Sequence, residues 1–344
     1  MPDPVLSIRD LVVEFRTDDG VVKAVDGVSY DVYPGETLGI VGESGSGKSV
    51  SQLAVLGLIP QPPGKIVRGE AFFDGHDTLK MSRKDLRRIR GDDVAMIFQD
   101  PMTSLNPVLK IGHQIAEAIS AHKPDVKDKE AKERTIRLLA LVGVPNPERR
   151  YDQYPHEFSG GMRQRAMIAM AIANEPKLLI ADEPTTALDV TIQAQILEVL
   201  KKAQDETHAA TIMITHDLGL IAELADRVAV MYAGKVVELT DVHTLFSAPR
   251  HPYTVGLMDS LPRLTVDEDW LRPIPGAPPS LINRPPGCPF HPRCMLSQGR
   301  ARCREEEPPL RPIGREHLTA CHFAEELEGQ QSHFVDEPAT GVSP

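Results

Sequence analysis

The stretch TLGIVGESGSGKSV, residues 37–50, decides the fold. The apolar run Thr37–Val41 reads as a buried strand, and helical spacing begins at Val50 and continues to Leu58. Between them, GESGSGKS (42–49) holds three glycines, three serines and one lysine in eight positions. Glycines there let backbone N–H groups turn toward an anion, and the following helix points the positive end of its dipole at the same place. Gly42, Gly47, Lys48 and Ser49 meet the spacing G-x-x-x-x-G-K-[ST], and strand, loop and helix stand in the order that chemistry requires. Lys48 suits the β- and γ-phosphates of a nucleoside triphosphate, and the Ser49 hydroxyl suits Mg²⁺. Glu43, Ser44, Gly45, Ser46 and Val50 complete the expected nucleotide-binding stretch.

A triphosphate loop needs carboxylates. LLIADEP (178–184) supplies two at the end of an apolar strand. Asp182 fits the Mg²⁺ sphere, usually through water, and Glu183 is placed to polarise an attacking water. Around these motifs, strands and helices alternate: three short strands within residues 5–41, another over 66–75, then Val94–Phe98, Leu178–Ala181, Thr211–Ile214 and Arg227–Met231. Helical patterns fill Ile111–Leu141, with a break near residue 124, the stretch after 162, and Thr191–Gln204. That alternation predicts an α/β chain built on a largely parallel sheet.

FSGGMRQR (158–165) narrows the field. A Ser-Gly-Gly turn opening a helix is a second anion site, and one triphosphate does not need two unless the second serves a nucleotide held by another subunit. Here the chain resembles the ATP-binding-cassette (ABC) family, whose signature is usually Leu-Ser-Gly-Gly-Gln; this chain has Phe158 for Leu and Met162 for Gln. Ser159, Gly160 and Gly161 are retained, and Gln164 is grouped with them. Gln99 after VAMIF matches the Q-loop glutamine, a Mg²⁺ contact that reports to a partner; Ala187-Leu188-Asp189 matches the D-loop; His216 in TIMITHD matches the switch histidine. Phe15 is the candidate for the aromatic that stacks on adenine. The resemblance spans about residues 5–245. It implies a P-loop ABC ATPase with a RecA-like core, an antiparallel β subdomain and a helical subdomain near 102–172. It also implies that two cassettes sandwich two ATP molecules, with Glu183 and His216 catalytic.

Transport, DNA maintenance and ribosome remodelling all use such cassettes. Only 59 positions separate Gln99 from Phe158, with none of the long heptad insertion that chromosome-maintenance cassettes carry, and the chain holds one cassette rather than two. Transport is therefore the expectation. The stretches 99–115, 154–165, 188–197, 231–238 and 248–258 resemble the peptide/nickel importer group, its dipeptide-importer D-type ATPase subunits in particular. The resemblance implies two permease subunits, contacted by the region after Gln99, a substrate-binding protein acting indirectly, and a second ATPase subunit, as a heterodimer rather than a homodimer. The alternative is an importer of nickel or another peptide-like solute, or a cassette outside transport.

Bulk properties agree. Net charge is −11, and the longest apolar stretches fall short of the ~18–20 residues of a spanning helix, so the permeases are expected on separate chains. The acidic balance disfavours nucleic acid, and the basic run RKDLRRIR (83–90) reads as a solvated helix face. MPDPVLSIRD has no secretory pattern, which predicts a chain that stays in the cytoplasm, and the importer resemblance implies a peripheral place on the cytoplasmic face of the inner membrane.

Past about residue 246, Pro, Arg and Cys dominate and helical periodicity fades, so a boundary is set near Thr244–Pro249. A Pro/Cys-rich C-terminal region is expected over 246–325 and a disordered tail over 326–344. All four cysteines, Cys288, Cys294, Cys303 and Cys321, lie in that region. No pair has the close spacing of structural zinc sites; a [4Fe–4S] cluster tolerates wider spans. Zn²⁺, with His291 or His322 as substitute ligands, and unliganded thiols stay open, while a disulfide framework is disfavoured in a cytosolic chain. The resemblance implies the cluster.

Overall fold

The computed structural model describes residues 2–100, 104–186, 189–260 and 273–328. Strands β1 (Leu6–Thr17), β2 (Gly20–Val32), β4 (Gly64–Phe73) and β5 (His76–Asp77) form an antiparallel sheet in the order β2-β1-β4-β5. Asp74 and Gly75, both at positive φ, close the two-residue β4–β5 hairpin where the sequence places a strand end.

Among the described residues the larger sheet has eight strands: β3 (Thr37–Val41), β6 (Val94–Ile97), β7 (Leu178–Asp182), β8 (Ala210–Thr215), β9 (Arg227–Tyr232), β10 (Lys235–Asp241), β11 (Arg311–Gly314) and β12 (His317–Thr319). Their order is β11-β12-β10-β9-β3-β8-β7-β6, and the block β9-β3-β8-β7-β6 is parallel. Continuous apolar runs form these strands because both faces are covered. Leu38, Ile40, Leu178, Ile180, Ile212 and Ile214 face a core shared with the antiparallel sheet and helix Lys48–Val55. Val41, Leu179, Ala181 and Met213 face the opposite core, built with helices Ile111–His122, Asp128–Leu141 and Gly160–Ala171. One strand thus feeds two cores by its period of two.

The helical stretch read over Ile111–Leu141 is two helices, parted at Lys123–Lys127, and the second carries Asp128 and Glu130 in its first turn, where the helix dipole favours acids. The basic run forms helix Arg83–Ile89, with Leu86 its one buried residue, so a solvated face is what the chain builds. No described helix is long and apolar enough to cross a membrane.

The C-terminal region differs from the expectation of fading helicity. Helix Val242–Ser247 runs through the proposed boundary, and helix Pro252–Asp259 follows, with Pro252 in its first turn and the His251 side chain accepting from Tyr253 N. A first-turn proline costs the helix no hydrogen bond, a start signal that the sequence reading passed over. Hairpin β11–β12 then pairs with β10, Glu238 opposite Thr319 and Leu239 opposite Leu318, so this region extends the main sheet. Glu238, fully buried, accepts from Arg250 N (2.5 Å) and His251 N (3.1 Å) and meets His317 Nε2 at 2.8 Å. Tyr232, Tyr253 and Phe290 pack with ring centroids 4.6–5.4 Å apart, joining the cassette to the cysteine-bearing segment. Of the expected tail, Glu326 to Glu328 are described and Leu327 is buried; 329–344 lie outside the described residues.

Candidate functional site

The C-terminal edges of β3, β6, β7 and β8 bring the predicted residues together, the location where open parallel sheets bind ligands. The loop after β3 bends at Gly42 (φ +151°) and Gly47 (φ +98°). A Cβ at Gly42 would stand 2.1 Å from the Met231 carbonyl oxygen, and one at Gly47 2.2 Å from that of Ala24, so only glycine fits either place. Gly47 is the N-cap of helix Lys48–Val55 without a side-chain cap, leaving the first-turn N–H groups for an anion. Ser44 and Gly45 are exposed at the loop tip, Ser46 is buried with its hydroxyl unpartnered, and Val50 packs into the core beside the antiparallel sheet.

Lys48 is buried, and its ammonium donates to the carbonyl oxygens of Gly42 (2.7 Å) and Glu43 (3.1 Å). Burial lowers its pKa against the pull of Glu183, Asp182 and Glu43. The Ser49 hydroxyl donates to Asp182 Oδ1 at 2.8 Å, pre-assembling the two oxygens expected around Mg²⁺. Desolvation raises the Asp182 pKa, with nearby Glu183 adding to the rise and Ser49 opposing it.

Glu183 sits at φ +46°, a strained conformation for a non-glycine residue, held as its N–H donates to Ile214 O at 2.9 Å. Its carboxylate accepts from Gln99 Nε2 (3.0 Å) and Thr186 Oγ1 (2.8 Å), and His216 Nδ1 stands 3.8 Å away. The sequence reading missed Thr186; its place three residues after Glu183 was the available signal. Phe15 is half-buried on β1, opposite Gly64 and packed against the core.

Ser159 caps helix Gly160–Ala171, its hydroxyl accepting from Met162 N at 3.3 Å, and Ser159 and Gly160 are exposed. A Cβ at Gly161 would meet Ile192 at 2.8 Å. Gln164 is 1% exposed with its amide nitrogen unpartnered, so it lies beneath the turn and away from the surface that Ser159 presents. Asp189 caps helix Val190–Thr207, accepting from Ile192 N at 3.0 Å; Ala187 and Leu188 of the D-loop lie outside the described residues.

All four cysteines line one small cavity with His251, Phe290 and Leu296. Burial pushes the Cys288 thiol up to about 12 and that of Cys321 up to about 11, and raises Cys294 and Cys303. Among the described residues, no group of three or more His, Cys, Asp or Glu stands close enough to hold a metal ion. Four thiols lining one cavity are the donor type that an iron–sulfur cluster or a zinc ion takes. A single zinc, with Zn–S bonds of about 2.3 Å, would need the sulfurs drawn together.

Comparisons with known proteins agree with this geometry. The family model described as "ABC transporter" matches residues 25–186, and that described as "Oligopeptide/dipeptide transporter, C-terminal region" matches residues 237–303. The chain is 54% identical over 292 residues to a dipeptide transport ATP-binding protein of Bacillus subtilis, covering 85% of this chain and 87% of that one. It is 51% identical over 318 residues to a dipeptide transport ATP-binding protein of Escherichia coli, covering 92% and 96%. Among solved structures, a dimeric post-hydrolysis state of the ATP-binding cassette MJ0796 bound to ADP and Pi superposes with a TM-score of 0.62 at 26% identity, covering 69% of this chain and 98% of that one.

Proposed function

The chain belongs to the ABC transporter family, in its oligopeptide/dipeptide branch, and on that premise we propose that it is the ATP-hydrolysing subunit of a membrane importer for di- and oligopeptides. The observation that carries the reading is the convergence of Lys48, Ser49, Asp182, Glu183 and Gln99 at one sheet edge, linked by the Ser49–Asp182 and Gln99–Glu183 hydrogen bonds.

Each residue then has a task. Lys48 exchanges the carbonyls of Gly42 and Glu43 for β- and γ-phosphate oxygens. Ser49, Asp182 and Gln99 would hold Mg²⁺, which would offset the negative charge of the phosphates. Glu183, released from Gln99, accepts the proton of the attacking water, and His216 stands beside it at the γ-phosphate. The exposed Ser159–Gly160 turn, with Gly161 and Asp189, serves the nucleotide held by a second cassette, so each ATP is closed in by two chains. ATP closes that dimer and hydrolysis opens it, driving two permease subunits.

The finer points of the reading are these. The second cassette is a different ATPase subunit, the region after Gln99 meets the permeases, and the protein works at the cytoplasmic face of the inner membrane. Residues 1–245 form the nucleotide-binding domain. Residues 246–325 form a peptide-importer-type region whose Cys288, Cys294, Cys303 and Cys321 hold a [4Fe–4S] cluster, supported by their shared cavity and the absence of a competing carboxylate among its lining residues.

The test is reconstitution in vesicles with the partner ATPase subunit, two permeases and a peptide-binding protein. ATP-dependent uptake of a labelled dipeptide, lost in Ser159→Arg, is the expected result. ATP turnover without peptide uptake, accompanied by nickel uptake, would replace the cargo.

A further inference from the structure

We propose that Arg293 is a positioning residue of the nucleotide site, fixing the first turn of the phosphate loop through the carboxylate of Glu43. The inference rests on the reading of loop 42–49 as the ATP cradle.

Arg293 lies 250 positions from Glu43 in sequence, in the turn between Phe290 and Cys294. It is 7% exposed, and both terminal nitrogens donate to Glu43: Nη1 to Oε2 at 2.7 Å and Nη2 to Oε1 at 2.9 Å. This two-pronged fork is the strongest and most directional carboxylate contact a side chain can make. The rest of the guanidinium is held too, with Nε donating to Pro275 O at 3.0 Å and Nη1 3.4 Å from the Tyr232 hydroxyl. The Glu43 backbone is gripped from the same side, its N–H donating to the Tyr253 hydroxyl at 2.9 Å. Its carbonyl receives the Lys48 ammonium at 3.1 Å.

Glu43 is therefore held at its amide by helix Pro252–Asp259 and at its carboxylate by the cysteine-bearing segment. Gly42 before it is wedged against the Met231 carbonyl, so the direction in which the chain leaves toward Ser44 and Gly45 is set at Glu43. A buried ion pair is weak evidence for stability, since packed apolar side chains often serve as well. A pair that fixes geometry and removes a carboxylate's charge from the path of a polyphosphate has a reason to be ionic. The C-terminal region is thus part of the ATP site.

The test is a double-mutant cycle on the full chain, with Kd for MgATP read by displacement of a fluorescent ATP analogue. Wild-type binding is measured first, and its absence would sink the ATP-cradle reading itself. Arg293→Gln is expected to weaken MgATP about 10-fold, by leaving Glu43 free and charged. Arg293→Lys should fall between, and Glu43→Gln combined with Arg293→Gln should lose less than the two single effects added. KM for ATP should rise while kcat stays within about 2-fold, because the hydrolytic residues are untouched. Wild-type Kd in Arg293→Gln, or additive effects in the cycle, would overturn the proposal. If Arg293→Gln fails to fold, as read by thermal melting, Arg293→Lys with Glu43→Gln carries the same cycle.

Discussion

Gln99 Nε2 donates to the Glu183 carboxylate at 3.0 Å, tying the candidate catalytic base to the segment that follows β6. The same glutamate is held in the left-handed region of the backbone. That hydrogen bond occupies one lone pair of the carboxylate, and Gln99 lies at the start of the segment read as facing the permease.

Glu183→Gln keeps the size and the hydrogen-bonding oxygen but cannot take a proton. ATP turnover should drop about 10²–10⁴-fold while MgATP binding persists and a nucleotide-bound dimer accumulates. Single-turnover kinetics with size-exclusion chromatography reads both, and undiminished turnover would remove Glu183 from the base role.

Asp182 carries a raised pKa because burial disfavours its charge, so folding binds its proton more tightly than the unfolded chain does. Its ionised form therefore costs stability as pH rises from the unfolded value of 3.8 through the folded one. Asp182→Asn should raise the Tm of the nucleotide-free protein at neutral pH by a few degrees. It should also lower MgATP turnover about 10–100-fold. A lowered Tm would contradict the electrostatic account.

His251 is fully buried, its Nδ1 accepting from Tyr253 N, and burial lowers its pKa from 6.5 to about 3. The unfolded chain binds that proton below pH 6.5 and the folded chain does not, so stability is lost as pH falls toward 3. Urea unfolding should show a loss of about 2 kcal/mol between pH 7 and pH 5 from this group, at about 1.4 kcal/mol per pH unit below 6.5. His251→Gln should flatten that slope. An unchanged slope would assign it elsewhere.

Protein purified without oxygen should be brown, absorbing broadly near ~400 nm, and replacement of Cys303 by Ala should remove that colour. A colourless wild type with one zinc per chain would replace the cluster by the metal ion.

The nucleotide motifs were legible because each is a few consecutive residues at a strand end, where spacing alone fixes geometry. Gly42–Ser49 and Leu178–Glu183 are of this kind, whereas Gln99 and His216 were singled out through the resemblance to the ABC family, since one residue after a strand carries no spacing of its own. What stayed hidden depends on long-range pairing. Nothing local marks Glu238 as the buried partner of His317, 79 positions on, or Arg293 as the partner of Glu43. Strand β10 was hidden in a stretch read only as a resemblance, although Ala233 and Gly234, both at positive φ, make a two-residue hairpin turn before it. Gln164 was grouped with Ser159 by nearness in sequence, and helix Gly160–Ala171 turns it inward.

The pairing of β12 with β10 also says where this chain can be divided. A graft of the cysteine-bearing region onto another cassette, cut at residue 246, would part Leu318 and Thr319 from Leu239 and Glu238 and bare the edge of β10. The transplantable unit begins inside β10, near the residue 237 at which the second family match starts. Chimeras joined there should stay monodisperse, and those joined ten residues later should aggregate.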